Sequence, residues 1–143
     1  MSDKPVALVT GANQGIGLQI AKDLVPHGFT VLVGSRNFGK GQTAAKSIGA
    51  DAHAVQLDVT DHKSIAAAAA RIRQEFGRLD VLIQNAAISN VNKKPGQSVE
   101  EYSKTTGPSV VSLDEMRAVW DTNVFGVLSV YHMYLHCKYS MIS

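Results

Sequence analysis

Three glycines follow a short apolar run near the start of the chain: Gly11, Gly15 and Gly17. Residues 6–9 suffice for one buried strand, and an apolar repeat at helical spacing begins at Ile16. Gly11 can adopt backbone angles that side chains forbid, Gly15 lets a pyrophosphate approach the main chain, and Gly17 lets the helix pack close to the strand. The start of the helix then offers free N–H groups to an anion. The stretch therefore predicts a phosphate site. A glycine-rich turn without a ligand is the alternative.

The residues after the second predicted strand bear on which dinucleotide such a site would prefer. In dinucleotide sites an acidic residue about twenty positions past the glycines binds the ribose hydroxyls. Here Ser35 stands in that position, followed by Arg36 and Asn37. An arginine suits a 2′-phosphate because its planar guanidinium makes charge-assisted bonds to phosphate oxygens, whereas a carboxylate would repel them. The pattern favours NADP, and an ordinary surface arginine is the alternative.

Four strand–helix units are expected to position these residues. Strands are predicted at residues 5–10, 30–34, 52–57 and 79–84, and the first two helices at residues 15–26 and 39–48. A third helix, capped by Thr60 or Asp61, ends near residue 76, and Gly28 is expected to form a left-handed cap after the first. Units of this kind predict a parallel sheet with right-handed crossovers. The fold that we expect is α/β, a doubly wound parallel sheet with strand order 3-2-1-4.

The chain after the fourth strand departs from this rhythm. Residues 89–112 are rich in turn formers, and they are expected to form a long loop near the ligand-binding edge of the sheet. Two roles are open for this loop: it covers a substrate cleft, or it is a plain surface insertion. A last helix is predicted from about Ser112, with Ser112 and Glu115 forming a capping box. Apolar residues recur along it: Met116, Val119, Trp120, Val124, Leu128 and Tyr131.

Composition excludes several classes of protein. The 143 residues suit one domain or a piece of one, and 45% apolar with 18% charged residues suit a folded soluble core. A net charge of +2 with scattered basic residues predicts no nucleic-acid partner. The single cysteine, Cys137, allows no internal disulfide, which favours a cytoplasmic location. We expect no signal peptide, no membrane span and no metal site.

Residues 10–17 read T-G-x-x-x-G-I-G, and this motif resembles that of the short-chain dehydrogenase/reductase family. The resemblance to the family extends over residues 5 to about 130. Within the family it is similar to carbonyl-reductase-like members, which carry an asparagine in the turn and an arginine after strand two. The resemblance implies a Rossmann-like fold and hydride transfer between NADPH and a small carbonyl or alcohol substrate. The cofactor contacts implied at the turn are Gly11, Asn13, Gln14, Gly15, Ile16 and Gly17.

The resemblance also implies contacts beyond the turn. Ser35, Arg36 and Asn37 would bind the adenosine ribose, and the pair Asp58-Val59 would contact the adenine ring. Asp58 can accept a hydrogen bond from the exocyclic amine while Val59 packs on the ring, although Asp58 as a simple helix cap is an equal alternative.

Asn85, Ala86 and Ala87 follow strand four and would lie along the cofactor. The family pattern N-N-A-G matches here only at Asn85 and Ala86, and Ala87 adds a methyl group where backbone and cofactor come close; a plain turn is the alternative. Asn123 matches the asparagine of the family's catalytic tetrad, which bonds a water that relays to the catalytic lysine. A buried structural asparagine is the alternative for Asn123.

The family's remaining catalytic residues, a serine and a Y-x-x-x-K, should follow the asparagine helix. The chain ends at Ser143, and although Tyr134 to Lys138 spells Y-x-x-x-K, the pair lies eleven residues after Asn123 on the same helix. We interpret it as a chance pair, common on helices. The expectation is one domain over residues 1–143, incomplete at its C-terminus as in a truncated or frame-shifted reading frame, and inactive by itself.

Two functions stay open on the sequence. The first is an NADP(H)-dependent short-chain oxidoreductase in incomplete form. The second is a module that binds a dinucleotide or a partner chain without chemistry. Strand four is expected to be an unprotected edge with a flat apolar sequence, and such an edge recruits other chains. Self-association through the open sheet edge is therefore expected.

Overall fold

The computed structural model describes residues 3–89, 94–105, 107 and 109–139. The strands are β1 (Val6–Val9), β2 (Thr30–Ser35), β3 (Ala52–Gln56) and β4 (Val81–Ile83). The helices are α1 (Gly15–Leu24), α2 (Phe38–Ile48), α3 (His62–Glu75), α4 (Val99–Ser103), α5 (Leu113–Trp120) and α6 (Val127–Tyr139). A 3₁₀ turn, Val25–His27, extends α1, and a π-helical turn, Asp121–Gly126, joins α5 to α6.

The four strands form one parallel sheet in the order β3-β2-β1-β4. Leu8 in β1 is paired with Leu32 in β2 on one side and with Leu82 in β4 on the other. Helices connect the first three strands and lead into β4, as crossovers between parallel strands require. The predicted Rossmann-like fold and its strand order are confirmed.

Strand residues alternate between two apolar clusters, one on each face of the sheet, because successive strand side chains point to opposite faces. Leu8 and Leu32 pack on one face with residues of α3 and α6. Val9, Val31 and Val33 pack on the other face with α1 and α2. The sheet is thus covered by helices on both sides, which explains why β1 and β2 are buried along their whole length.

The ends of the first helices follow local signals, with small differences from the prediction. The α-helical part of α1 stops at Leu24, and Pro26 lies in the 3₁₀ turn that follows. Gly28 has φ 87°, which confirms the left-handed cap. Asn37 caps α2 by accepting a bond from the Lys40 amide, so α2 begins one residue earlier than predicted.

The fourth strand is shorter than the predicted residues 79–84. Before β4, the carboxylate of Asp80 accepts a bond from the Val6 amide at 2.8 Å. After β4, the amide of Asn85 donates to the hydroxyl of Thr10 instead of continuing the ladder. These side-chain bonds lie beside main-chain bonds at the two ends of β4, from the Asp80 amide to the Val6 carbonyl oxygen and from the Thr10 amide to the Ile83 carbonyl oxygen.

The predicted loop at residues 89–112 contains a helix, α4, which the prediction missed. Ser98 accepts a bond from the Glu101 amide, and the Glu101 side chain accepts one from the Ser98 amide, which completes a capping box. The S-x-x-E spacing in the sequence signals this start. Residues 90–93, 106 and 108 of the stretch lie outside the described residues.

The capping box predicted at the start of the last helix is only half present. Ser112 accepts a bond from the Glu115 amide at 3.1 Å, as expected. The Glu115 carboxylate does not return to Ser112, and it accepts a 2.5 Å hydrogen bond from the hydroxyl of Tyr102 in α4. Both residues of this pair are buried, so the tertiary contact takes the carboxylate from the local cap.

The last helical segment carries an exposed apolar stripe, formed by Met116, Trp120, Val124, Phe125, Leu128 and Tyr131. These side chains are 43–56% exposed, whereas Val130 and Met133 face the core. No helix among the described residues is long and apolar enough to cross a membrane.

Candidate functional site: a pocket at the carboxyl ends of the strands

A pocket of about 330 Å³ opens where the carboxyl ends of the strands meet the glycine turn. Its walls are formed by Gly11, Asn13, Gln14, Gly15, Ile16, Arg36, Leu57, Asp58, Val59, Thr60, Asn85, Ala86, Ala87, Ile88 and Thr122. Most of the predicted site residues therefore share one cavity. The predicted residues that do not line it are Gly17, Ser35, Asn37 and Asn123.

Each glycine of the turn is required, or leaves space, for a different physical reason. Gly11 has φ 61°, and a Cβ there would lie 2.9 Å from the Cα of Ala86. Gly15 has φ 59°, and beyond its chain neighbours no atom lies within 4 Å of the position that a Cβ would occupy. The main chain at the pocket is therefore open to a ligand. At Gly17 a Cβ would lie 2.4 Å from Nδ2 of Asn85 and 2.6 Å from the Gly11 carbonyl oxygen. The close approach at Gly17 is therefore to the turn and to Asn85.

The N-terminus of α1 adds donors to the pocket wall. Gln14 occupies the N-cap position in extended conformation, and its side chain makes no capping bond. The first amides of the helix are therefore available to an anion, with the positive end of the helix dipole behind them. Ile16 lies beside them and is 76% exposed, an apolar surface at the pocket that a ligand would cover.

Thr10, which was not predicted as a site residue, joins two parts of the pocket wall through its hydroxyl group. Its hydroxyl accepts bonds from the amides of Asn85 and Ala86, each at 3.0 Å. The Asn85 side chain in turn donates to the Gly11 carbonyl oxygen at 3.1 Å. One buried hydroxyl thus holds the end of β4 against the glycine turn, and Asn85 acts partly as a brace.

The residues after β2 divide between structure and surface. Ser35 is 2% exposed, and its hydroxyl donates to the Asn37 carbonyl oxygen at 2.8 Å, so it lies behind the pocket wall. Asn37 serves as the N-cap of α2. Arg36 is exposed and lines the pocket, and no described residue pairs with its guanidinium. Of the three, Arg36 is therefore the residue with a free functional group at the cavity.

Asp58 lies in the pocket wall and does not cap α3. Its Oδ1 accepts bonds from the amide and the hydroxyl of Thr60, at 2.9 and 2.7 Å. The cap of α3 is Asp61, which accepts a bond from the Lys63 amide. Gly126 approaches Val59 so closely that a Cβ at Gly126 would lie 2.9 Å from the Val59 carbonyl oxygen. Asp58 is thus bonded to Thr60, and Val59 lies close to the π-helical turn.

Asn123 lies in the π-helical turn and binds the pocket wall from outside. Its Oδ1 accepts a bond from the Ile88 amide at 2.9 Å, and its Nδ2 donates to the Ile88 carbonyl oxygen at 2.8 Å. Both polar atoms of the side chain therefore hold Ile88, which lines the pocket. Ala87, next to Ile88, is exposed at the same wall.

Tyr134 points away from the pocket. Its hydroxyl donates to the Asp80 carbonyl oxygen at 3.1 Å, at the opposite end of β4 from the cavity. Asp80 also binds Arg78 through two bonds of 2.7 Å, and this hydrogen bonding, with the carboxylate charge, raises the pKa of Arg78 above its ordinary value. The side chains of Cys137 and Lys138 lie outside the described residues.

Sequence reasoning missed Thr10 behind the pocket and four residues of its lining, which are Leu57, Thr60, Ile88 and Thr122. Thr10 belongs to the T-G-x-x-x-G-I-G motif, and its position at the end of a strand beside a second strand end is the signal that could have found it. The four lining residues are chain neighbours of predicted site residues, but Thr122 adjoins Asn123, which does not itself line the pocket. Among the described residues no group of three or more histidine, cysteine and acidic side chains could hold a metal ion.

Comparison with known families agrees with this geometry. The sequence matches the family model for short chain dehydrogenases over residues 5–141, which is nearly the whole chain. The chain belongs to the short-chain dehydrogenase family. The matched residues include the glycine turn and all four strands of the sheet.

Curated short-chain dehydrogenases share this part of the sequence. The chain is 40% identical over 120 residues to short-chain dehydrogenase/reductase ATR10 of Stachybotrys chlorohalonatus, covering 76% of this chain and 44% of that protein. It is 44% identical over 92 residues to carbonyl reductase [NADPH] 1 of Sus scrofa, covering 62% of this chain and 32% of that protein. The chain spans less than half the length of these relatives.

Two solved reductase structures share the fold. A 3-ketoacyl-(acyl-carrier-protein) reductase from Brucella melitensis, complexed with NADH, matches with TM-score 0.73 and 30% identity over 90% of this chain and 47% of its own. A variant actinorhodin polyketide ketoreductase with NADPH matches with TM-score 0.77 and 31% identity, covering 94% and 48%. The same arrangement of strands and helices thus occurs in about half of each solved enzyme.

Proposed function

We propose that this chain binds a nicotinamide dinucleotide with a preference for NADP(H), as part of an oxidoreductase acting on a carbonyl or alcohol. The observation that carries the proposal is one pocket that joins the glycine turn to the unpaired guanidinium of Arg36. The two solved relatives hold NADH and NADPH, which supports a dinucleotide in the same place. The substrate class follows from the reductase names of these relatives.

The glycine turn fits the pyrophosphate. The open space at Gly15 admits a phosphate oxygen to the main chain, and the α1 amides beyond Gln14 lack a side-chain cap. A bound anion would satisfy those donors and the helix dipole at once, since both act within the first turn. The exposed side chain of Ile16 would then be covered by the ligand.

The adenosine end fits the wall formed after β2 and β3. Arg36 would bind the 2′-phosphate, because the preceding Ser35 brings no negative charge to repel it. Asp58 and Val59 would contact the adenine ring, Asp58 by accepting a bond from the exocyclic amine. No described residue donates to Oδ2 of Asp58, so this acceptor is available.

Bound NADPH would supply the hydride to the carbonyl carbon of the substrate. The carbonyl oxygen then needs a proton from a positioned donor with a suitable pKa. The described residues that line the pocket include no tyrosine, lysine or histidine. Asn123 would contribute by holding Ile88 in the wall. We therefore propose that residues 1–143 by themselves bind cofactor and do not reduce carbonyl compounds.

The cofactor preference is tested by titration calorimetry of NADPH and NADH with the wild-type chain and with Arg36→Ala. A charge-assisted bond of about 1.5–3 kcal/mol predicts NADPH binding roughly ten- to a hundredfold tighter than NADH in the wild type. Arg36→Ala should abolish the difference. Arg73→Ala removes an exposed arginine from the last turn of α3 and should retain it. Equal affinities in the wild type would contradict the preference.

The second candidate is a module that binds a dinucleotide or a partner without chemistry, and the lack of a proton donor in the described pocket wall favours it for this chain. An assay of NADPH absorbance with aldehydes, ketones and quinones tests it. No turnover is expected. Turnover that disappears in Tyr134→Phe would contradict the assignment of Tyr134 to a structural role.

The remaining parts of the proposal concern surroundings. The partner that we propose is a small carbonyl or alcohol, and the small net charge with scattered basic residues argues against nucleic acid. A cytoplasmic location is consistent with the single cysteine.

A further inference from the structure

A second depression, of about 560 Å³, lies beside the pocket and shares two wall residues with it, Arg36 and Asp58. Its other walls come from α2, β3 and the first turns of α3, including Lys63. Arg36 and Asp58 thus border both cavities. A phosphate bound by the exposed guanidinium of Arg36 would lie close to this depression.

Three cationic side chains line the depression, and one of them is already engaged. Arg71 pairs with Glu75 at 2.9 Å, donates to the Ala54 carbonyl oxygen at 2.8 Å, and lies 5.7 Å from the ring centre of Phe38. Arg71 is thus a structural part of the wall. For the other two cations, no described residue pairs with the side-chain charge of Arg36 or Lys63.

Two carboxylates share the depression with these cations. Asp58 is bonded to Thr60, and Asp61 accepts a bond from the backbone amide of Lys63 at the start of α3. These local bonds hold both carboxylates at the depression, where their charge opposes a phosphate. A second free cation at the depression would offset part of the repulsion between these two acids and a phosphate bound by Arg36.

We propose that Lys63 is a second contact for the 2′-phosphate and acts together with Arg36 to select NADP(H). This inference rests on the proposed NADP(H) preference and adds the residue that balances the acidic side of the subsite. The glycine turn offers no competing cation there, because Asn13 and Gln14 are neutral. Lys63 contributes a mobile point charge, whereas Arg36 contributes the planar fork.

The test compares adenosine 2′,5′-bisphosphate with 5′-AMP by titration calorimetry on the full chain. The variants are Lys63→Gln, Lys63→Arg and Arg36→Ala, each checked by its thermal melt. Lys22→Gln is the matched control, because Lys22 lies in the last turn of α1, away from the glycine turn. A further arm uses 5′-AMP with added inorganic phosphate, which separates the tethered 2′-phosphate from a free anion.

Lys63→Gln should weaken the bisphosphate about two- to fivefold, as expected for an exposed charge pair, and leave 5′-AMP unchanged. Lys63→Arg and Lys22→Gln should bind as the wild type does, and the loss in Lys63→Gln should shrink at high salt. Added inorganic phosphate should not reproduce the effect.

Two results would overturn the inference, and they can be told apart. If Arg36→Ala removes the preference for the bisphosphate and Lys63→Gln does not change it, Lys63 has no role and the proposed NADP(H) preference stands. If the wild type shows no preference, or binds neither nucleotide, the proposed preference and the role of Lys63 fail together.

Discussion

Two short sequence motifs differ in their surroundings: the glycine motif of the turn after β1 and the Y-x-x-x-K motif of the last helix, α6. At the turn, Gly15 and the start of α1 face the pocket, and Thr10 holds the neighbouring strand end against them. On α6, the Tyr134 hydroxyl donates to the Asp80 carbonyl oxygen, at the end of β4 opposite to the pocket. The letters of a motif therefore indicate chemistry only where the fold directs them to a cavity.

The two regions also differ in how well they are covered. The strands around the turn are buried along their length, whereas the apolar stripe on the last helical segment faces solvent. When helices cover both faces of a parallel sheet, the apolar side chains of its strands are buried within the domain. An exposed stripe of this size is typical of surfaces that contact another element or chain.

The largest effect on stability is expected from Thr10→Val, which keeps the shape of the side chain and removes the hydroxyl. The amides of Asn85 and Ala86 would lose their acceptor in a buried site, which costs about 1–3 kcal/mol for each amide. Chemical denaturation measures the free energy of unfolding. Thr10→Ser retains the hydroxyl and should lose much less. Equal losses in the two variants would show that the methyl group, and not the hydroxyl, matters.

Tyr102→Phe tests the contact that holds α4 on α5. It leaves the buried carboxylate of Glu115 without the tyrosine donor, and we expect a loss of about 1–3 kcal/mol in the free energy of unfolding. Hydrogen exchange at the amides of α4 should rise with it. Glu115→Gln keeps an acceptor for Tyr102 and should lose less. A variant as stable as the wild type would show that the pair does not hold α4 in place.

Tyr134→Phe should have a smaller effect, about 0.5–1.5 kcal/mol, because the ring stays in the core and only the bond to Asp80 is lost. Dinucleotide affinity, measured by calorimetry, should not change. Tyr131→Phe on the exposed side of the same helix is the control and should be neutral. A loss of cofactor affinity in Tyr134→Phe would remove the contrast between the two motifs.

The smallest effect on stability is expected from Leu128→Ser in the apolar stripe, within about 0.5 kcal/mol, because the side chain is 50% exposed. Its effect should appear in association. We expect the wild-type chain to self-associate at micromolar concentration in sedimentation experiments, through the stripe and the open β4 edge, and Leu128→Ser to weaken this. Val99→Ser, on α4, is the control. A monodisperse wild-type monomer would contradict the expectation.

The parts of the prediction that succeeded rest on interactions close in sequence. The left-handed cap at Gly28 follows from local turn chemistry, and the four strands follow from apolar runs joined by helices. The errors fall where a distant group competes. Glu115 binds Tyr102 instead of completing its cap, and after β4 the Asn85 amide donates to the Thr10 hydroxyl.

The sequence by itself determined the parallel sheet, the glycine turn and the presence of Arg36 at the end of β2, because periodicity and turn residues act within a few positions. Only the tertiary structure decided that Thr10 joins two strand ends, that Asn123 holds Ile88, and that Lys63 shares a depression with Arg36. These pairings join residues from 27 to 75 positions apart, and no local pattern specifies them. They arise when packing of the helices on the sheet brings the strand ends together.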